Sequence, residues 1–317
     1  LSAALPAFDV AVPPPEIGPW LSGNTGVPGF TTRDSGRPGP HVALLGLTHG
    51  NELAGAIVLD RLLRAGLVPT HGRLTFGFVN IEAFARFDPR HPTASRFIDE
   101  DLNRVWDPAV LDGPRRSREL DRAREMRPLI DTVDVLLDLH SMLWPSDPLI
   151  LGGGTEKGRA LARCIGTPAL VVSDIGHANG PRIIDYPRFA DPATPFAANL
   201  VEAGQHWQPD TVQTAMASTV GLLRHLGVVA PDAPLPPRPA APPQRFAVVT
   251  AAVTAMTKRF AFVQAYRGGD VIPRRNTLIA MDDHVEIRTP HDDCLLVMPS
   301  LRPSRGHTAV RLARFLT

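Results

Sequence analysis

Thr48-His49-Gly50-Asn51-Glu52 stands directly between an apolar run and a segment of helical periodicity. His49 and Glu52 are three apart, so an imidazole and a carboxylate can converge on one point at a helix entrance, with Gly50 permitting a tight turn. Leu137-Asp138-Leu139-His140 ends a second apolar run. If the two runs are neighbouring parallel strands, His140 opens onto the same crevice. Two histidines and one glutamate, with a fourth position left to water, form a catalytic zinc set. Other divalent ions suit the same donors. Alternation along the strand sends Asp138 to the side of His140, where a carboxylate can orient a ligand imidazole. Each half of this pattern is common in proteins that bind no metal. The pair at neighbouring strand ends carries the metal reading.

Two further features can be read in two ways. Arg96-Phe97-Ile98-Asp99-Glu100-Asp101-Leu102-Asn103-Arg104 is either a solvated charged loop or a cluster that binds a carboxylate and polarises a carbonyl. Guanidinium suits the second role, because its planar fork donates two parallel hydrogen bonds and keeps its charge. Glu202 lies inside the apolar run Asn199-Leu200-Val201-Glu202-Ala203-Gly204. A carboxylate there is costly unless paired or functional. Beside a metal-activated water it would move a proton; otherwise an arginine satisfies it.

The elements that must position these residues alternate. Apolar runs at 41–47, 73–80, 133–140, 169–174 and 197–204 read as strands, and segments at 52–66, 114–130, 156–165 and 211–227 as helices. Continuous apolar strands separated by helices predict a mostly parallel or mixed sheet with helices on both faces, whose ligands lie beyond the carboxyl ends of its strands. Residues 231–243 hold seven prolines in thirteen positions and read as an extended linker. Short β-rich runs follow, separated by turn signals. The expected organisation is an α/β domain over 1–230 that carries the candidate zinc site, the linker 231–243 and a smaller all-β domain over 244–317.

The 317 residues carry a net charge of +1, which gives no reason to expect a nucleic-acid or membrane partner. The stretch 115–127 is rich in arginine, but its interleaved acids and apolar positions Leu120, Ala123 and Met126 read as a helix with a solvated outer face. Cys164 and Cys294 lie far apart without metal-finger spacing, as in a reducing compartment. No apolar run is long enough to span a bilayer, and residues 1–20 lack the form of a signal peptide. Cytoplasm is the expected location.

In combination these segments resemble the succinylglutamate desuccinylase/aspartoacylase family, a branch of the zinc carboxypeptidase superfamily. The shared order is HGNE at 49–52, Arg96 seven residues before Asn103 in DLNR at 101–104, DLH at 138–140, and the glutamate of EAG at 202–204. Asn80-Ile81-Glu82-Ala83 is similar to the family's Asn-x-x-Ala segment. The resemblance covers about residues 40–230. It implies one zinc per chain on His49, Glu52 and His140, with Glu202 as general base and acid. Arg96 would stabilise the carbonyl oxygen, and Asn103 and Arg104 would hold a substrate carboxylate. The implied reaction is zinc-dependent hydrolysis of the amide of a small N-acyl amino acid. Alternatives are a zinc carboxypeptidase acting on peptides and a non-catalytic metal- or ligand-binding homologue. Homo-oligomerisation stays open, with the C-terminal domain as the module that would drive it.

The chain also departs from the family. Where the motif often continues Glu-x-Gly-Pro, this chain reads Glu202-Ala203-Gly204-Gln205-His206. The aspartoacylase arginine upstream of that glutamate is replaced by Pro192, which argues against aspartate specificity. Arg182, in Asn179-Gly180-Pro181-Arg182, is the expected substitute for binding substrate. Trp144, just after the third ligand, either lines the pocket for a larger or more apolar group or simply packs. His177 and His206 are the other histidines expected near the cleft.

Overall fold

Unbroken apolar runs make the centre of the sheet, and amphipathic segments cover it. The structure, a computed structural model, describes residues 6–174, 179–237, 240 and 242–316. In chain order the elements are β1 (Phe30–Asp34), β2 (His41–Gly46), α1 (Leu53–Arg64), β3 (Arg73–Phe78), α2 (Ile81–Phe84), α3 (Pro108–Leu111), α4 (Arg118–Ile130), β4 (Val135–Met142), β5 (Leu149–Leu151), α5 (Glu156–Ile165), β6 (Leu170–Ser173), α6 (Pro187–Ala190), β7 (Ala197–Gln205) and α7 (Pro209–Leu226). There follow β8 (Arg245–Thr254), β9 (Phe260–Phe262), β10 (Val271–Ile272), β11 (Leu278–Asp282), β12 (Val285–Arg288), β13 (Cys294–Val297) and β14 (Thr308–Phe315).

Eleven strands form one mixed sheet in the order β1-β3-β2-β4-β7-β5-β6-β8-β14-β13-β10. The pairs β2–β3, β2–β4 and β4–β7 are parallel, as the sequence predicts. Between β7 and β6 lies the three-residue β5, antiparallel to β7 and parallel to β6. β8 pairs parallel to β6, and antiparallel β14 and β13 extend the same sheet. A separate antiparallel sheet, β12-β11-β9, lies in the C-terminal region.

Side chains alternate across the sheet and divide the core between its faces. Val42 and Leu44 of β2, with Leu137 and Leu139 of β4, pack with α1, α5 and α7. Ala43 and Leu45, with Leu136 of β4 and Leu200 of β7, pack with α4 and with Trp106 of the preceding loop. By this parity Asp138, His140 and Glu202 all leave the sheet on the α4 face. The fold therefore gathers three chemistry-bearing side chains near the carboxyl ends of two adjacent parallel strands.

Leu47 turns the chain out of β2 in the left-handed region, at φ 60°. For a branched residue that conformation is strained and must be held by its surroundings. Its carbonyl accepts from Asn80 N–H at 2.8 Å, and its side chain is fully buried. Gly50 is required for a different reason than the expected turn. A Cβ there would lie 2.5 Å from the Ala83 carbonyl carbon and 2.6 Å from Ser95 O, so close approach of three segments excludes a side chain.

Candidate active site

Glu52 stands at the N-cap position of α1, its side chain turned to the site rather than to the helix, and is the hub of the site. One of its carboxylate oxygens lies 2.8 Å from His49 Nδ1 and the other 3.0 Å from His140 Nδ1. The second oxygen also accepts from Ser141 N–H at 3.0 Å. The three ligand atoms lie within 4.8 Å of one another, and all three residues are buried.

Both histidines are held from behind. Asp138 Oδ2 lies 2.7 Å from His140 Nε2, and Thr48 Oγ1 donates to Asp138 Oδ1 at 2.9 Å. Asp101 Oδ1 lies 2.9 Å from His49 Nε2. Each Nε2 thus faces an aspartate and each Nδ1 faces inward, the arrangement that orients imidazoles towards a cation.

The electrostatics point the same way. Burial opposes the charge on Glu52, but the imidazoles of His49 and His140 outweigh it and hold the carboxyl well below its usual range. Burial likewise opposes a proton on His140, yet Asp138 and Glu52 raise its proton affinity well above that of a free imidazole. Carboxylates that favour a proton at that nitrogen favour a metal cation in its place. Two imidazoles and one buried carboxylate therefore fit a divalent ion of the zinc type.

Register places Glu202 beside this group: its Cα pairs with that of His140 across β4 and β7. Only 6% of Glu202 is exposed, and among the described residues its Oε2 has no hydrogen-bond partner. Desolvation by burial pushes its carboxyl up to about 8, against the attraction of His140. A carboxyl with this affinity exchanges its proton near neutrality, which suits general acid–base work.

The loop 96–104 is built, not solvated. Buried Glu119 of α4 accepts from the backbone N–H of Ile98 at 2.7 Å, Asp99 at 3.0 Å and Glu100 at 3.2 Å, and from Asn80 Nδ2 at 3.1 Å. Asn80 in turn caps α2. The reading of 115–127 as a helix packed through Leu120, Ala123 and Met126 holds from Arg118 onward, but its solvated outer face fails at Glu119, only 1% exposed. It fails also at Arg122 and Arg124, which donate to backbone carbonyls.

Held this way, Arg96 meets Glu52 Oε1 and Asp101 Oδ2, each at 3.1 Å. Asp101 also caps the short turn Leu102–Arg104 by accepting from Asn103 N–H at 2.9 Å. Asn103 Oδ1 accepts from Ile183 N–H at 2.9 Å, which leaves its Nδ2 as the free end. Arg104 donates through Nη1 to Asn103 O at 2.6 Å and stands 3.9 Å from Asp101.

Arg182 is placed differently from its expected role. It is 2% exposed and clamped by Asp185, at 2.7 Å from Nε and 3.0 Å from Nη2, and by Asp174 at 3.3 Å. Trp144 packs edge-on against Phe8, which in turn meets Trp207. His206 lies against the site, with Nδ1 2.7 Å from Ser141 Oγ, and burial lowers its pKa to about 4. His177 lies outside the described residues. The sequence reading gave no role to Glu119, Asp174 or Arg311, and expected Ser141 only to line the pocket with the segment that follows His140. Only Asp174 carried a signal, as an acid closing an apolar strand.

A mixed α/β sheet thus carries, at the carboxyl ends of its parallel strands, a His–Glu–His cluster that could hold a metal ion. The family model for the succinylglutamate desuccinylase/aspartoacylase catalytic domain matches residues 38–164. Aspartoacylase from Xenopus tropicalis is 30% identical over 121 residues, 35% of this chain and 37% of that protein. An N-acyl-aromatic-L-amino acid amidohydrolase (carboxylate-forming) from Danio rerio is 30% identical over 110 residues, 32% of each. The matched stretch thus spans about a third of these relatives' length. The fold extends further. A succinylglutamate desuccinylase structure from Vibrio cholerae is similar at a TM-score of 0.68 and 16% identity, covering 90% of this chain and 85% of that one. A succinylglutamate desuccinylase/aspartoacylase structure from Rhodobacter sphaeroides gives 0.65 at 17% identity, with 91% and 89% covered.

Proposed function

We infer that this protein hydrolyses the amide bond of a small N-acyl amino acid, using a divalent cation, zinc by ligand type, held by His49, Glu52 and His140. The observation that carries this reading is the convergence of three buried ligand atoms within 4.8 Å, with the unpartnered carboxyl of Glu202 on the adjacent strand. When bound, the cation would supply Lewis acidity at the scissile carbonyl and make water a better nucleophile.

The chain's own residues do the rest. Glu202 takes a proton from the attacking water and returns it to the leaving nitrogen. Its burial makes the protonated form accessible near neutrality. Arg96 presents a guanidinium beside the ligand set and meets the carbonyl oxygen as it gains charge. Asn103 Nδ2, aimed by the bond from Ile183 N–H to its oxygen, and Arg104 hold a substrate carboxylate. The names of the Xenopus and Danio relatives support the same reaction class.

The test is metal content of the purified protein together with hydrolysis of a panel of N-acyl amino acids, before and after chelation. The expected result is about one zinc per chain and chelator-sensitive release of free amino acid. Protein that never met a chelator and still holds no metal overturns the reading.

A further inference from the structure

We propose that Arg311, on the last strand, is a specificity-determining residue that joins Arg104 in receiving a carboxylate of the substrate. The inference rests on the reading of the site as an acyl-amino-acid hydrolase.

Parity and register bring Arg311 to the site. On β14, Ala313 belongs to the same side of the core as Leu200 of β7 and Val172 of β6. Arg311 is two residues away and shares that face. It pairs with Ala252 of β8, beyond the point where Val248 pairs with the last residue of β6, so it projects past the carboxyl end of β6. Register irregularities flank it, between Thr308 and Val310 and between Leu312 and Ala313. Such bulges re-aim side chains and are frequent beside active sites.

From there the guanidinium reaches back to Asp174, with Nε 2.9 Å from Oδ2, and is 8% exposed. Among the described residues Asp174 is the only carboxylate within ion-pair distance of Arg311. Glu202, Arg182 and Arg104 all lie within its electrostatic reach.

A purely structural tie does not explain this placement. Asp174 already has a buried guanidinium in Arg182, and an apolar residue at 311 would extend the core without desolvating another charge. Four guanidiniums, those of Arg96, Arg104, Arg182 and Arg311, face three aspartates, Asp101, Asp174 and Asp185. Glu52, which also meets Arg96, is shared with both histidines. Glu202 acts on Arg96, Arg182 and Arg311 from further off. The ion-paired arginines thus gather around Arg104 and Arg311, where a substrate carboxylate would make charge-assisted hydrogen bonds. Asp174, shared between Arg182 and Arg311, competes with a substrate carboxylate for the Arg311 guanidinium.

The experiment is calorimetric binding of dicarboxylates (succinate, glutarate and adipate) against monocarboxylates of equal carbon number. It is run on the full-length wild type and on Arg311→Gln, Arg311→Lys and Asp174→Asn. The wild type is expected to favour one dicarboxylate over its monocarboxylate by about 10-fold or more. Arg311→Gln removes that preference, and Arg311→Lys restores part of it. Asp174→Asn strengthens it by freeing Arg311, whereas loss of a merely structural tie would weaken it. If Arg311→Gln does not fold, the charge-balanced pair Asp174→Asn with Arg311→Met replaces it, with the same loss expected. An unchanged preference in the Arg311 variants, weakened binding in Asp174→Asn, or no preference in the wild type overturns the proposal. Hydrolysis alongside an unchanged preference refutes the subsite alone. An intact preference without any hydrolysis refutes the hydrolase reading alone.

Discussion

At the residue scale the site is an economy of buried charge, in which each ionisable group has a neighbour that decides its state. Glu202 is the exception, since its buried Oε2 has no partner among the described residues. Replacing it with Gln keeps the shape and removes the proton exchange. Metal content is expected to stay at the wild-type level while turnover falls by about 10² to 10⁴; equal turnover would remove Glu202 from the mechanism. Asp138 acts one step back, through His140. Asp138→Asn is expected to weaken metal affinity by about 10- to 100-fold in a competitive chelator titration. An unchanged affinity would make the aspartate a packing residue.

At the element scale, most of what holds the site follows from apolar periodicity. Fully buried runs such as Val42–Leu45 admit no polar face and so read plainly as inner strands. Glu52 and His140 are legible because they sit where such runs stop. What stayed hidden has a physical cause in each case. β5 is three residues long, too short for a period. β14, with Arg311 and Arg314 among apolar residues, looks half-solvated, because one arginine is buried in an ion pair while the other faces out. Glu119 sits in the first turn of α4, where an acid is usual beside the helix's positive end. Only the fold shows three backbone N–H groups converging on it. Glu119→Gln keeps one acceptor oxygen and loses the charge. It is expected to destabilise the protein by about 1.5–3 kcal/mol in denaturant unfolding and to raise KM through the slackened 96–104 loop. A stability loss without a KM change would separate that loop from substrate binding.

Across the whole molecule, one histidine far from the site sets part of the acid limit. His41 opens β2 with Nε2 2.7 Å from Thr75 Oγ1 and Nδ1 3.1 Å from Thr132 O. Desolvation by burial, with Arg73 nearby, lowers its pKa from 6.5 to about 4. The folded state thus binds fewer protons than the unfolded chain between those values. The stability it contributes is complete above 6.5 and is lost as pH falls towards about 4, in total roughly 3 kcal/mol. His41→Gln is expected to flatten that part of the stability–pH curve, read from urea midpoints. A slope equal to the wild type's would assign the acid loss to other groups.

The single sheet also has a consequence for how the chain is made. His49, Glu52, His140 and Glu202 all leave the ribosome before the strand that covers the outer edge of β6 has been synthesised. At about 5–20 residues per second, residues 244–317 take roughly 4–15 s, during which the growing edge of the sheet, first β6 and then β8, stands unpaired. An open edge beside a formed core is a template for wrong pairing. Slower, cooler expression is therefore expected to raise the soluble fraction more than any change at the site. A fragment ending at residue 230 is expected to aggregate however perfect its ligand set, because translation would have stopped inside the vulnerable interval and never left it.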